Sequence, residues 1–307
     1  MSRLAFWASW LLCVWGCASV SRWEGAQAVN PQIQYLADSA PSGFPLSLVV
    51  RPDGIATLTV QTSRDATGAA AVGLFRCRLE DRELAPLVAA LRSAGFAAAE
   101  NPKKVLPGEP VRLLGITEMG SKELVRRAAF HTPEPPAFAA AEEQALKVVD
   151  IVRQRPVRAI AIEAGPLPKR LESGKPLALT LTLVNPGTER VQLPDPARWE
   201  EEGVQLHIDG LRSDVPLPEL GPEHQKLAEV GKDQALGEQA PLTGKGPITL
   251  ERGARFLLRM RVPLDWPPGQ YELTIVLAFP LPLAEGQEPK RCELVATPGR
   301  IEFGGAR

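Results

Sequence analysis

Histidine and cysteine are scarce in this sequence: 3 His and 4 Cys among 307 residues. His131, His207 and His224 stand far apart, with no H-E-x-x-H and no other paired spacing, so no zinc-hydrolase motif is encoded. No C-x-x-C is present either. Nucleophile elbows of the form G-x-S-x-G and the glycine-rich loops that cradle phosphates are missing as well. No cofactor and no catalytic residue are therefore expected. Charge of either sign is not in excess, with a formal net charge of -1. Without a basic stripe to neutralise phosphates, nucleic acid is not an expected partner. No apolar run approaches the roughly 20 residues that cross a bilayer as a helix.

What is present begins at the amino terminus. Arg3 gives a positive start, Leu4 to Val14 is apolar, and Gly16 precedes Cys17. This is the layout of an export signal. Val14-Trp15-Gly16-Cys17 resembles the bacterial lipobox, which implies a diacylated Cys17 and a signal of residues 1–16. Ala26-Gln27-Ala28 offers the alternative, signal-peptidase cleavage after residue 28; an uncleaved anchor is the third. The expected location is thus a membrane-anchored lipoprotein, or a periplasmic or extracellular protein. Membrane contact would come only through a lipid on Cys17. The two cysteines outside this region, Cys77 and Cys292, fall in different halves; two inert buried thiols are the simpler expectation and a disulfide the alternative.

A change of rhythm near Arg153-Gln154-Arg155-Pro156 predicts two domains, 29–154 and 157–307. In the first, Leu46–Val50 and Ile55–Val60 flank Arg51-Pro52-Asp53-Gly54, and the Asp-Gly pair predicts a hairpin. Ala71–Leu79 supplies a third strand. Leu84, Leu87, Val88 and Leu91 have helical spacing after Glu80-Asp81, with Gly95 as the stop. Val111–Thr117 and Glu123–Phe130 form a second pair about Met119-Gly120-Ser121, and Ala137–Gln154 closes the unit as a helix. The order β-β-β-α-β-β-α predicts an α+β domain, one antiparallel sheet with helices on one face.

The second half reads almost wholly as short strands with Pro/Gly turns, among them Leu177–Val184, Phe256–Val262 and Tyr271–Phe279. Leu183-Val-Asn-Pro-Gly187 after an alternating strand, and Pro268-Gly-Gln-Tyr-Glu-Leu-Thr-Ile275 opening a late one, resemble the immunoglobulin-like β-sandwiches of bacterial envelope proteins. They are also similar to the bacterial proteinase-inhibitor family that shares the sandwich. The resemblance implies an all-β immunoglobulin-like sandwich over 157–307, with Tyr271 as a corner tyrosine bonded to nearby backbone.

Residues 209–247 have little strand pattern and form a long insertion, containing a short helical stretch from Pro222 to Val230. His224 lies there, and Trp199 and Trp266 lie beside prolines at strand ends, so these three are the candidate recognition residues. Capping the ends of the sandwich core is the simpler expectation for both tryptophans, and a recognition patch the alternative. The acidic run Glu200-Glu201-Glu202 reads as a solvated loop. The leading expectation is a non-catalytic binding or scaffold protein of the cell envelope, with an envelope protein as partner. Protease inhibition is the first alternative, and an enzyme with a site between the domains is the second.

Overall fold

A computed structural model describes residues 31–37, 45–63, 71–172, 175–193, 204–210, 247–262, 269–283 and 288–304. The protein is mostly β with few helices. Strands β1 (Gln32–Ala37), β2 (Leu46–Val50), β3 (Ile55–Val60) and β4 (Ala71–Arg78) pair antiparallel in chain order. Burial alternates along β1 to β3, so Ile33, Tyr35, Leu48, Val50, Ala56, Leu58 and Val60 enter the core while their neighbours face partly outward.

The β2–β3 hairpin forms where Asp53-Gly54 predicts it, through a different turn. Gly54 N–H donates to the Arg51 carbonyl and Arg51 N–H to the Ile55 carbonyl, both at 2.9 Å. That is a three-residue connection, Pro52-Asp53-Gly54. Pro52 has no N–H to give the Ile55 carbonyl, so it cannot close a two-residue turn around Asp53-Gly54, and Arg51 closes the longer one. Gly54 takes a positive φ, 78°.

Helix α1 (Asp81–Leu91) starts where Glu80 N–H donates to Glu83 Oε2, at 2.7 Å, and buries Leu84, Leu87, Val88 and Leu91. It ends at Arg92, ahead of the expected stop. Ser93 Oγ accepts from Phe96 N–H at 3.1 Å and starts a second short helix, α2 (Ala94–Ala98). Gly95 therefore lies inside α2, where a Cβ would sit 3.2 Å from that of Ala137. Its smallness lets two helices approach. Strands β5 (Val111–Thr117) and β6 (Leu124–Ala129) form the second hairpin, and β5 pairs with β1. Helix α3 (Pro136–Arg153) crosses β3 to β6, and α1 and α2 pack along it. The observed order adds β1 and α2 to the expected one.

The remaining strands are β7 (Pro156–Ala164), β8 (Arg170–Glu172), β9 (Leu177–Val184), β10 (Val191–Leu193), β11 (Val204–Gly210), β12 (Ile248–Leu250), β13 (Arg255–Val262), β14 (Gly269–Leu281) and β15 (Lys290–Gly304). They sandwich one end of a nine-stranded sheet, ordered β13-β9-β7-β4-β3-β2-β1-β5-β6, with a four-stranded sheet, β11-β14-β15-β8; β10 and β12 pair separately. Strands of both halves thus share one sheet, because β7 pairs with β4 on one side and β9 on the other. A second junction reinforces it: Glu293 N–H donates to the Gln61 carbonyl at 2.7 Å, and Ser63 N–H returns a bond to the Glu293 carbonyl at 3.0 Å.

Two residues of the sandwich motifs have clear structural duties. Asn185 is fully buried; its Nδ2 donates to the carbonyls of Glu189 (2.8 Å) and Leu250 (2.9 Å), and its Oδ1 accepts from Gly187 N–H at 2.8 Å. Tyr271 is buried edge-on against Phe303, ring centroids 5.2 Å apart. Both thiols in the described part, Cys77 and Cys292, are free; no disulfide joins them.

Candidate functional site

The core is interrupted beneath α3 by one ionic cluster. Glu142, on the buried face of α3, accepts from the Tyr35 hydroxyl of β1 at 2.7 Å and from Arg112 of β5. Arg112 also meets Glu134, 3.3 Å away on the segment leading into α3, and lies 5.9 Å over the Phe138 ring. Burial pushes the Glu142 carboxyl above the ordinary carboxylate range, opposed by the Tyr35 hydrogen bond and Arg112 and assisted by Glu134. Only 6% of Glu142 and 2% of Tyr35 are exposed, so neither is presented to a substrate. What the cluster does is mechanical: Glu134 ties the 132–135 segment to the sheet.

That segment forms one wall of a cleft of about 280 Å³, lined by Glu100, Asn101, Pro102, Lys103, Arg127, Ala128, Ala129, Thr132, Pro133 and Pro135. The other wall is the connection from α2 to β5, and the base is β6, the last strand of the nine-stranded sheet. Each wall is anchored separately. Asn101 Oδ1 accepts from Arg127 N–H at 2.8 Å. Glu109, 6% exposed, takes Leu106 N–H (2.8 Å) and His131 N–H (2.6 Å), one on each carboxylate oxygen. Those two N–H groups hold its carboxyl below the usual range. Arg126 folds back to the carbonyls of Phe96 (3.0 Å) and Ala97, fixing the end of α2 against β6. Beside the cleft Phe130 is 74% exposed, its ring edge-on to His131 at 5.1 Å. The arrangement is a preformed, open recess with two basic side chains and an apolar neighbour. Glu100 is the one acidic residue of its lining, and no histidine lines it among the described residues.

Cys17, Trp199, His224 and Trp266 are outside the described residues, as is most of the 209–247 insertion. His207 is on β11, and His131 serves through its backbone. Sequence reasoning passed over Asn101, Lys103, Arg127 and Phe130. The available signal was a pair of proline-bearing connections, Glu100-Asn-Pro-Lys-Lys-Val-Leu-Pro-Gly108 and His131-Thr-Pro-Glu-Pro-Pro136, flanking the same hairpin. Among the described residues no group of three or more His, Cys, Asp or Glu could hold a metal ion, and no helix is long and apolar enough to cross a membrane.

No family model matches the chain, and no curated protein does. Among solved structures it is similar to native alpha-2-macroglobulin from Escherichia coli, spanning domain MG7 to the C-terminus, at 16% identity over 49% of this chain with a TM-score of 0.27. The match spans 17% of that structure's length. It is also similar to the ASH/PapD-like domain 7 of human CEP192, at 13% identity over 48% of this chain and 85% of that one, with a TM-score of 0.23. Likenesses this slight place the chain in no family.

Proposed function

We propose that this is an exported, non-catalytic protein of the cell envelope that binds a partner protein through the cleft at the β6 edge. In this reading an α+β unit carries the cleft, and an immunoglobulin-like sandwich follows it as the scaffold. One observation carries the proposal: both cleft walls are pinned by separate polar anchors (Asn101, Glu109, and Glu134 through Arg112) while Lys103, Arg127 and Phe130 are left facing solvent. Ordering a recognition surface in advance lowers the entropy lost on binding. A scaffold gains most from such an arrangement. The buried ionisable pair Glu142 and Tyr35 offers no support for an enzyme, because neither group is reachable from solvent.

The test compares proteins captured from envelope extracts by the full chain and by an R127E/F130A variant whose melting temperature is unchanged. Loss of a reproducible partner from the variant alone supports the proposal; equal capture by both overturns the assignment to this cleft. Mass spectrometry of the mature protein reads the export half. A diacylated Cys17 or a chain beginning at Val29 supports it, and a retained Met1 in a cytoplasmic fraction overturns it.

A further inference from the structure

Taking the cleft as the binding site, we propose that its 132–135 wall is locked by one proton shared between Glu134 and Glu142. The cleft keeps its shape while the pair holds that proton and loosens when the proton is lost. Arg112 meets both carboxyl groups through one guanidinium: Nη1 reaches Glu142 Oε2, and Nη2 lies 3.3 Å from Glu134 Oε1. Two carboxyl groups therefore stand side by side against a single positive charge, and Glu134 is within hydrogen-bonding reach of Glu142. Two ionised carboxylates have no proton to put between them, so this contact attracts only when one of the two is protonated. Glu134 Oε1 is itself buried and has no hydrogen bond among the described residues. A proton held by the pair would supply that bond.

The groups acting on Glu142 are Tyr35 from β1, Arg112 from β5 and Glu134 from the segment ahead of α3. The other elements packed on α3, namely β3, β4, β6, α1 and α2, turn apolar side chains into the shared core. Cys77 of β4 is acted on by Glu83 and Arg155 instead, Arg126 of β6 is bonded to carbonyls at the end of α2, and Arg127 lines the cleft. Glu134 has leverage on the wall because prolines flank it, and their rings stiffen the backbone on both sides. Thr132 N–H donates to the Ala129 carbonyl at 3.1 Å, and the Pro135 carbonyl accepts from Phe138 N–H at 2.9 Å and Ala139 N–H at 3.1 Å. Those bonds hold the two ends; the Glu134 side chain holds the middle. Thr132, Pro133 and Pro135 all line the cleft, so freeing Glu134 displaces that wall. Burial keeps the Glu142 carboxyl protonated above the ordinary carboxylate range. The wall is therefore docked at acid pH, and loss of the proton to solvent as pH rises through that raised value releases it.

The experiment follows the full chain, labelled with ¹³C and ¹⁵N, by NMR from pH 4 to pH 7. The Glu142 carboxyl carbon and the Thr132 and Glu134 amides are expected to titrate with one common midpoint. In E142Q the side-chain amide donates at every pH, so the two backbone amides should hold still. E134Q, nearer the surface, serves if E142Q fails to fold: the proton affinity of Glu142 should drop about tenfold, and the Thr132 amide should again hold still. Separate midpoints for the carboxyl and the amides, or amides that do not respond in the parent, overturn the proposal. So does a response that persists in E142Q, which would belong to another group such as the neighbouring His131. These readings need no partner. If they fail while R127E/F130A still loses an envelope partner, the binding function stands and only the proton lock falls. If they hold while both proteins capture the same partners, the lock stands and the cleft loses its assignment as the binding site.

Discussion

Asn185 shows how one side chain can carry a junction. Its amide satisfies two carbonyls and one N–H, tying the turn that carries Gly187 and Glu189 to Leu250 of β12. Asn185→Ala leaves those groups without partners at about 1–3 kcal/mol each, so a loss of roughly 3 kcal/mol or more is expected, read as a lower urea midpoint at unchanged slope. Glu142 makes the opposite kind of prediction. Its carboxyl is raised in the folded protein, so its contribution to stability is complete below the ordinary carboxylate value and declines as pH rises through the raised one. Glu142→Gln removes that dependence. The melting temperature of the variant relative to the parent should therefore rise between pH 4 and pH 7; a constant difference would show that Glu142 ionises as it does in the unfolded chain. Cys292 is a third case, buried and with its thiol pushed up to about 12 by burial. Alkylation at pH 8 should leave it unmodified until denaturant is added.

Among the elements, the junction of β4 and β7 is the most exacting. Gly73 has φ of 137°, and a Cβ on it would lie 2.1 Å from the Arg158 carbonyl oxygen. The register shifts immediately after it, between Leu74 and Phe75. Gly73→Ala should cost about 3 kcal/mol, from backbone strain and from parting two strands, measured by chemical unfolding. Nothing in Ala71-Val-Gly-Leu announces this, since a strand glycine reads only as a weak point until its neighbour is known. The helices were easier. Leu84, Leu87, Val88 and Leu91 repeat at helical spacing and are buried as one face, because that periodicity is a local property. Strand β1 was hidden by its own side chains: Ile33 and Leu36 are three apart, a helical interval, and the period of two emerges only when Tyr35 and Ala37 are counted as core. The cleft was illegible for a further reason. Asn101 and Arg127, or Glu109 and His131, are joined by hydrogen bonds across more than twenty residues, and such bonds leave no periodic trace.

At the scale of the whole molecule, the change of rhythm at 154–157 marks the entry to β7 and no break in the sheet. A composition boundary signals independent domains only when few contacts cross it. Here β4 hydrogen-bonds across it to β7, and Gln61 and Ser63 exchange two backbone bonds with Glu293 while Ser63 Oγ accepts from Val295 N–H at 2.6 Å. Opening either half alone would bare the β4 edge and the apolar surface of β15, with Cys292, Leu294 and Ala296 all buried. The two halves are therefore expected to unfold together. Calorimetry should show one transition whose calorimetric and van't Hoff enthalpies agree. Gly73→Ala provides the complementary arm, because its Cβ would meet the Arg158 carbonyl and so loosen β4 from β7. In that variant the two enthalpies should separate, or a second transition should appear. Two transitions in the parent protein would instead mean that the shared sheet does not couple the halves, and that the cleft end folds without the sandwich.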